Sequence, residues 1–290
     1  MAGNFWHSSH YQQWMLEKQE VLAMRGQDIR PNALSEEDYE KLLIFFCNLT
    51  QQLGEQVKVR QQVIATASVY LRRFYARNSL ASIDPFLLVP ASLFLASKVE
   101  EYGIISATKL VSLMQTILKN KHLEMDFGPG KPKKAVDFNY SSKHIHEVEF
   151  LLLEQMDCCL IVYHAYRPLV EYVNDASESG KEDKELLGLA WRIVNDSLRT
   201  DVALLFPPFQ IALACMHMGS VMLGKDLKAW FSDLAVDMEA VQEISRHLFA
   251  LYQLWNTTDE RKDLPPLLAK MPRPCLTEGM NTGDLKSVLT

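Results

Sequence analysis

The sequence predicts an all-α protein made of two tandem five-helix repeats preceded by an N-terminal helix. Three observations predict it. Gly and Pro number only 12 each in 290 residues, too few turn formers for a typical all-β fold. Apolar residues recur at helical spacing along nearly the whole chain. Finally, a stretch apolar on every face follows Pro85, and a similar one follows Pro208. Such a stretch reads as a helix buried at the centre of a bundle.

Residues 9–24 place Tyr11, Trp14, Met15 and Leu22 on one stripe, which predicts one short amphipathic helix. Gly26 and Pro31 mark 25–33 as a connector. Ser35 with Asp38 three residues on is a capping-box start, and Leu34 is placed as its hydrophobic staple. Tyr39, Leu42, Leu43, Phe46, Leu49 and Leu53 carry the next helix to about Gly54. Val63, Ala67, Tyr70, Leu71 and Phe74 form the stripe of another, surrounded by Lys58, Arg60, Arg72, Arg73 and Arg77. Asp84-Pro85 reads as an N-cap followed by Pro at the first helical position. Pro90 predicts a kink or a later start. The polar run Lys98-Val99-Glu100-Glu101 ends this central helix. Residues 107–119 read as a fourth helix, 121–140 as a loop rich in Gly and Pro, and 141–156 as a fifth helix with Ile145, Val148 and Leu152 inward.

Laying Pro85 over Pro208 pairs Phe86 with Phe209, Ala91 with Ala214, Ser92 with Cys215, Leu93 with Met216, Leu95 with Met218, Ala96 with Gly219 and Ser97 with Ser220. Each central helix follows a longer amphipathic one (60–77 and 183–199) and precedes a short helix and a long one, the last being 238–255. A self-similar chain of this kind predicts a duplicated unit. The expected organisation is an N-terminal helix and connector at 1–34, a first repeat at 35–159, a second at 160–260, and an irregular tail at 261–290, where Pro265, Pro266, Pro272 and Pro274 fall.

Composition limits the function. With 30 Lys+Arg against 36 Asp+Glu the formal charge is −6, and domains that neutralise phosphates usually run basic. The arginines around the second helix therefore read as a solvated or protein-facing surface. Five cysteines without paired spacing suit a reducing, intracellular compartment. No secretory signal is read at the N-terminus, and the most apolar run, 211–223, is shorter than the roughly 20 residues of a membrane span. No phosphate loop, dinucleotide fingerprint, zinc-protease or C-x-x-C motif occurs. His144 and His146, two apart on a helix, diverge rather than converge on a metal. Neither enzyme nor cofactor is expected. Lys98 and Glu147 are single charges against the ends of apolar stripes. They read either as a surface ion pair or as one functional face.

At these residues the chain resembles the cyclin family. The stretch from Arg60 to Leu71 resembles the second helix of a cyclin box, and Leu95-Ala96-Ser97-Lys98-Val99-Glu100-Glu101 resembles the family's most recognisable segment. Met1 to Trp6, Asp157 to His164, and Tyr166-Arg167-Pro168-Leu169 resemble the branch that serves the Mediator kinase module. Ala165 stands where that branch usually has Pro, and both the 128–134 loop and the tail after Pro274 depart from its pattern. The resemblance implies a nuclear regulator of RNA polymerase II transcription that activates the cyclin-dependent kinase of the Mediator kinase module and meets other subunits of that module, with no direct contact to nucleic acid or membrane. It implies that Lys98 and Glu147 hold the kinase at the start of its regulatory helix. It also places Glu100 and Glu101 near the kinase's activation-loop arginines, where the paired acids serve either generic docking or, through Glu101, as a partial stand-in for a phosphate. Trp191 and Asn195, i and i+4 on one helix, with Tyr252 form either ordinary packing or a groove for a second subunit. The alternatives are a cyclin-fold nucleic-acid adaptor of the TFIIB type and a cyclin for a different kinase.

Overall fold

The computed structural model describes residues 4–29, 34–177, 183–234 and 236–274. After a 3-10 turn, Phe5–His7, the first half of the chain runs α1 (Ser9–Trp14), α2 (Lys18–Arg25), α3 (Glu36–Val57), α4 (Gln61–Arg77), α5 (Pro85–Val99), α6 (Ala107–Lys121) and α7 (Ser142–Gln155). Between α6 and α7 a two-residue antiparallel ribbon pairs β1 (Glu124–Met125) with β2 (Lys134–Ala135), Glu124 opposite Ala135. The second half runs α8 (Tyr166–Asp175), α9 (Lys184–Ser197), α10 (Val202–Leu205), α11 (Pro208–Leu223), α12 (Lys228–Asp233), α13 (Met238–Thr257) and α14 (Glu260–Lys270).

The predicted signals act locally. Ser35 Oγ accepts from Asp38 N–H while the Asp38 carboxylate accepts from Ser35 N–H, closing a capping box on α3, and Leu34 is buried beside it. Asp84 Oδ1 accepts from Phe86 N–H, and Pro85 opens α5. Every residue of α5 from Pro85 to Ser97 is buried, because it packs against α3, α4, α6 and α7 at once. Pro90 sits inside this helix without ending it. The second repeat is built alike: α11 also opens on Pro and packs against α8, α9, α10 and α13.

The chain divides into two compact units, Met1–Leu16 with Ile161–Thr257, and Glu17–Leu160 with Thr258–Thr290. Each terminal segment thus belongs with the repeat distant from it in sequence. In the first unit His10 Nδ1 accepts from Tyr163 N–H, and Leu16 N–H donates to Leu204 O at 2.8 Å. In the second, Asp126 N–H donates to Pro265 O.

Four expectations are corrected. The single helix over 9–24 is two, since Leu16 leaves the helical path to bond Leu204 and Glu17 starts α2 with its own capping box. Trp14 is buried as expected, but Tyr11 and Leu22 are exposed and Val21 takes the inward place. Arg72 and Arg73 are not on a solvated surface. They are 2% and 0% exposed. Arg72 and Arg25 share the Glu40 carboxylate, and Arg73 donates to Cys159 O at 3.2 Å, with burial pushing its guanidinium down to about 9. The pattern of a short helix followed by a long one holds for α12 and α13, with 6 and 20 residues, but α6 and α7 have 15 and 14. Finally, residues 260–270 are helical, not irregular. Pro265 and Pro266 remove two donors from α14, yet Asp259 caps it and Leu264, Leu267 and Leu268 are buried against α3 and β1. Burial of three leucines, at about 1.5–3 kcal/mol each, outweighs the helix-breaking preference. Of the expected irregular tail, 271–274 has no regular structure and 275–290 lies outside the described residues.

This packing makes α14 a structural part of the first repeat. Leu268→Ala should therefore lower stability by about 2–5 kcal/mol, read as a shift in urea midpoint. An irregular tail would leave the midpoint unchanged.

Candidate partner-binding site

Both central helices leave the core through the same turn. At α5, Tyr102 N–H donates to Ser97 O and Glu101 N–H to Lys98 O; at α11, Lys225 N–H donates to Ser220 O and Gly224 N–H to Val221 O. These are the paired bonds of a Schellman motif, which needs a left-handed residue just past the helix. Gly224 fills that position at φ 65 and Glu101 at φ 51. The alignment of Pro85 with Pro208 brings Glu101 onto Gly224. A side chain in this conformation costs about 1–2 kcal/mol relative to glycine, so the first repeat keeps a carboxylate where its own backbone favours none. Glu101 is exposed and makes no side-chain hydrogen bond or ion pair with any described residue. Glu100 differs. Its carboxylate accepts from Gln62 Nε2 at 2.6 Å and Thr66 Oγ1 at 2.5 Å, and burial raises its pKa against those two bonds.

Lys98 sits one turn earlier. Its ammonium lies 4.1 Å from the centre of the Phe94 ring and donates to both oxygens of Glu149, at 2.7 and 2.9 Å. The Glu149 carboxylate is nearly buried, and His146 Nδ1 stands 3.8 Å from it. The expected partner, Glu147, makes no ion pair with Lys98. It lies 3.5 Å from Lys143, one turn back on α7. Residues two apart on a helix project about 200° apart, so only one of the two glutamates can share the Lys98 face. The missed signal was readable: Glu149 is the one charge within the stripe Ile145, Val148, Glu149, Leu152, all buried. Phe150, beside Glu149, and Ile104, beyond the α5 turn, are exposed. The end of α5 therefore offers an ammonium, a buried carboxylate and a free carboxylate, with large apolar side chains close by in sequence. That set can grip a polypeptide backbone and a cationic cluster.

Trp191 and Asn195 do share a face. The Trp191 ring stacks on Tyr166 at 4.6 Å, and Tyr166 OH donates to Asn195 Oδ1 at 2.8 Å. Tyr252 joins the next residue instead, its hydroxyl donating to Asp196 Oδ2 at 3.1 Å, and burial raises the Asp196 pKa. Tyr166 and Asp196 are the members that sequence spacing did not reveal. All five are at least partly buried.

Known proteins resemble the chain across both repeats. Residues 13–161 match the family model "Cyclin, N-terminal domain" and residues 164–264 "Cyclin C-terminal domain". The chain is 55% identical over 274 residues to Cyclin-C of Rattus norvegicus, covering 94% of this chain and 92% of that protein. It is 54% identical over 275 residues to Cyclin-C of Drosophila melanogaster, covering 94% and 98%. Among solved structures, the fold is similar to a chain of the Chaetomium thermophilum CAK complex bound to ATP-gamma-S, with TM-score 0.72, 18% identity, and 98% and 93% coverage. It is also similar to a chain of the yeast RNA Pol II CTD kinase CTDK-1 complex, with TM-score 0.64, 18% identity, and 95% and 82% coverage.

Two stability outcomes follow from the helix ends. Glu101→Gly should raise stability by about 1 kcal/mol and Gly224→Ala should lower it by a similar amount, as shifts in denaturation midpoint of the full chain. Equal effects of the same sign would contradict the shared left-handed turn. Because the folded Glu100 pKa lies above its unfolded value, its contribution is fully present below the ordinary glutamate range and is lost as pH rises through the folded value. Glu100→Gln should flatten that part of the stability–pH curve, and an unchanged slope would contradict the burial of this carboxylate.

Proposed function

The chain belongs to the cyclin family, and from that premise we propose that it is the regulatory subunit that binds and activates the transcriptional cyclin-dependent kinase of the Mediator kinase module. It does so in the nucleus and performs no catalysis itself. The observation that carries this reading is the arrangement at the end of α5, where Lys98, Glu149 and Glu101 stand together at the mouth of a buried helix. In the free chain Lys98 and Glu149 satisfy each other. Against a helix of the kinase, the ammonium donates to backbone carbonyls and the carboxylate accepts from backbone N–H groups, both as charge-assisted bonds. The site reading thus takes Glu149 in place of Glu147 beside Lys98. The identity with Cyclin-C proteins of two animals supports the choice of this branch.

Activation is a population shift. A kinase of this type needs its Lys–Glu ion pair and its metal-binding Asp aligned together. A subunit that docks only on the aligned regulatory helix raises that population, and about 5.5 kcal/mol of differential binding converts a mostly inactive kinase to a mostly active one. A large, stable interface supplies free energy of that order. Glu101, held outward by the strained turn, reaches the arginines that otherwise gather around an activation-loop phosphate. The phosphate carries about −1.5 to −2 charges, and a carboxylate accepting a bidentate guanidinium replaces part of that. Glu100 is occupied by Gln62 and Thr66, so the role falls to Glu101. Trp191, Tyr166 and Asn195, with Tyr252 and Asp196 beside them, line the surface on which another subunit of the module docks.

The glutamate assignment is testable in one comparison. Lys98→Glu combined with Glu149→Lys preserves the internal ion pair in reverse and should abolish kinase capture at an unchanged melting temperature. Lys98→Glu combined with Glu147→Lys should lose capture through Lys98 alone, and Glu147→Lys by itself should bind nearly as the unaltered chain does. If the Lys98/Glu149 reversal retains unaltered affinity for the kinase, the site is misassigned.

A further inference from the structure

The ribbon between α6 and α7 is a small sheet with two outer edges, and the two are finished differently. Val136 N–H donates to Leu123 O at 2.9 Å, and Glu124 stands opposite Ala135. In an antiparallel ladder, residues whose main-chain groups bond across the pair alternate with residues whose groups point away. The inward bonds therefore fall on Leu123, Met125, Lys134 and Val136, while Glu124, Asp126, Lys133 and Ala135 turn theirs outward. The outer edge of β1 is closed within the chain, where Asp126 N–H donates to Pro265 O of α14. The outer edge of β2 is open. No described residue bonds the main-chain N–H or C=O of Lys133 or Ala135, and residues 129–135 are all exposed.

The turn of the ribbon holds this edge in shape. Gly128 and Gly130 take left-handed conformations at φ 97 and 82, and Gly128 N–H donates to Asp126 Oδ1 at 3.0 Å. The charge of the segment is the reverse of the chain's. Residues 119–134 hold five lysines against two carboxylates, in a chain of formal charge −6. Lys119, Lys131 and Lys134 make no ion pair with a described residue. Lys133 lies 3.5 Å from Asp126 across the ribbon, but both side chains are in contact with water, and a pair so placed is weak. Lysines and a proline on an open edge repel a second copy of the same edge, because like charges would stand opposite one another. A strand that carries carboxylates meets the same lysines as attraction.

We infer that the open edge of β2 receives an extended acidic segment of a partner protein as a third strand. Its main chain pairs with Lys133 and Ala135, and its carboxylates lie against Lys131, Lys133 and Lys134. In strand addition of this kind the main-chain bonds supply affinity and the side chains supply selectivity. Here the selectivity is for charge. Asp137 ends the basic run two residues past Ala135, so the carboxylates of the incoming strand belong toward Lys131. A nucleic-acid strand satisfies the lysines alone, since it has no alternating N–H and C=O groups to offer the edge. The inference goes beyond the kinase reading and uses neither Lys98, Glu149 nor Glu101.

The probe is a short capped peptide of alternating glutamate and valine, titrated into the full-length chain labelled at its backbone amides. Saturable shifts centred on the Lys133 and Ala135 amides are expected below about 1 mM peptide. Raising the salt from about 50 to about 500 mM should weaken binding about fivefold or more, because screening removes most of the attraction between exposed charges. Ala135→Pro takes away one outward donor, breaks no ladder bond and keeps every lysine, and should weaken binding about tenfold. Lys131→Glu combined with Lys133→Glu should abolish it. Without any change to the protein, one of two peptides N-methylated at alternate residues should lose binding, since only one set of its N–H groups faces the edge. Absence of saturable shifts, unaltered binding to the Ala135→Pro chain, or equal binding of both N-methylated peptides overturns the inference. So does tighter binding of a single-stranded oligonucleotide that Ala135→Pro leaves unchanged, because phosphates are then the occupant. Self-association of the unaltered chain that Ala135→Pro abolishes overturns it too, by making a second copy the occupant. No kinase enters this titration, so its outcome is independent of the Lys98 and Glu149 test.

Discussion

A helix without a polar face cannot lie on a surface. Nearly the whole of α5 and most of α11 are buried, and a helix apolar all round finds its minimum only when surrounded. Each recruits the helices before and after it as a jacket, and the five-helix repeat follows from that requirement. The same constraint fixes where function can sit. A central helix must stop when its sequence turns polar, and its end is the point where the core meets the surface. In the first repeat that end carries Lys98, Glu100 and Glu101. In the second the same turn carries Val221, Met222 and Gly224. One fold, used twice, ends its central helix in charged residues in the first repeat and in apolar residues and glycine in the second.

The charged end is costly in its own terms. Glu101 occupies a left-handed position that the second repeat gives to glycine, and Glu149 is a carboxylate held within an apolar stripe. Strain of this order, about 1–3 kcal/mol, persists where the surrounding structure enforces it and is concentrated at binding sites. Lys98 is exposed while Glu149 is nearly buried, so their bidentate bond holds both charges at the rim of the core.

Much of this was legible in the sequence because it depends on local rules. The Ser35–Asp38 box, the Asp84-Pro85 start, the inward residues of α7 and the duplication about Pro85 and Pro208 are set by spacing that tertiary contacts do not overrule. What was not legible depends on partners far along the chain. Arg72 and Arg73 read as surface charges because nothing near them in sequence reveals Glu40 or the Cys159 carbonyl. The break at Leu16 needs Leu204, and α14 forms around two prolines because three leucines find α3 and β1. The ion pair of Lys98 forms with Glu149 rather than Glu147 because Glu149 lies inside the buried stripe of α7, two residues and about 200° from Glu147.

In the proposed complex the end of α5 holds the kinase in its aligned state, with Glu101 supplying charge that a phosphate otherwise brings. The most direct measurement is the turnover number of the kinase, shown by mass spectrometry to be unphosphorylated, at saturating Glu101→Gln chain. A several-fold loss of turnover at unchanged affinity is expected, because the neutral amide keeps the shape and removes the charge. Turnover and affinity both equal to those of the unaltered chain would contradict it.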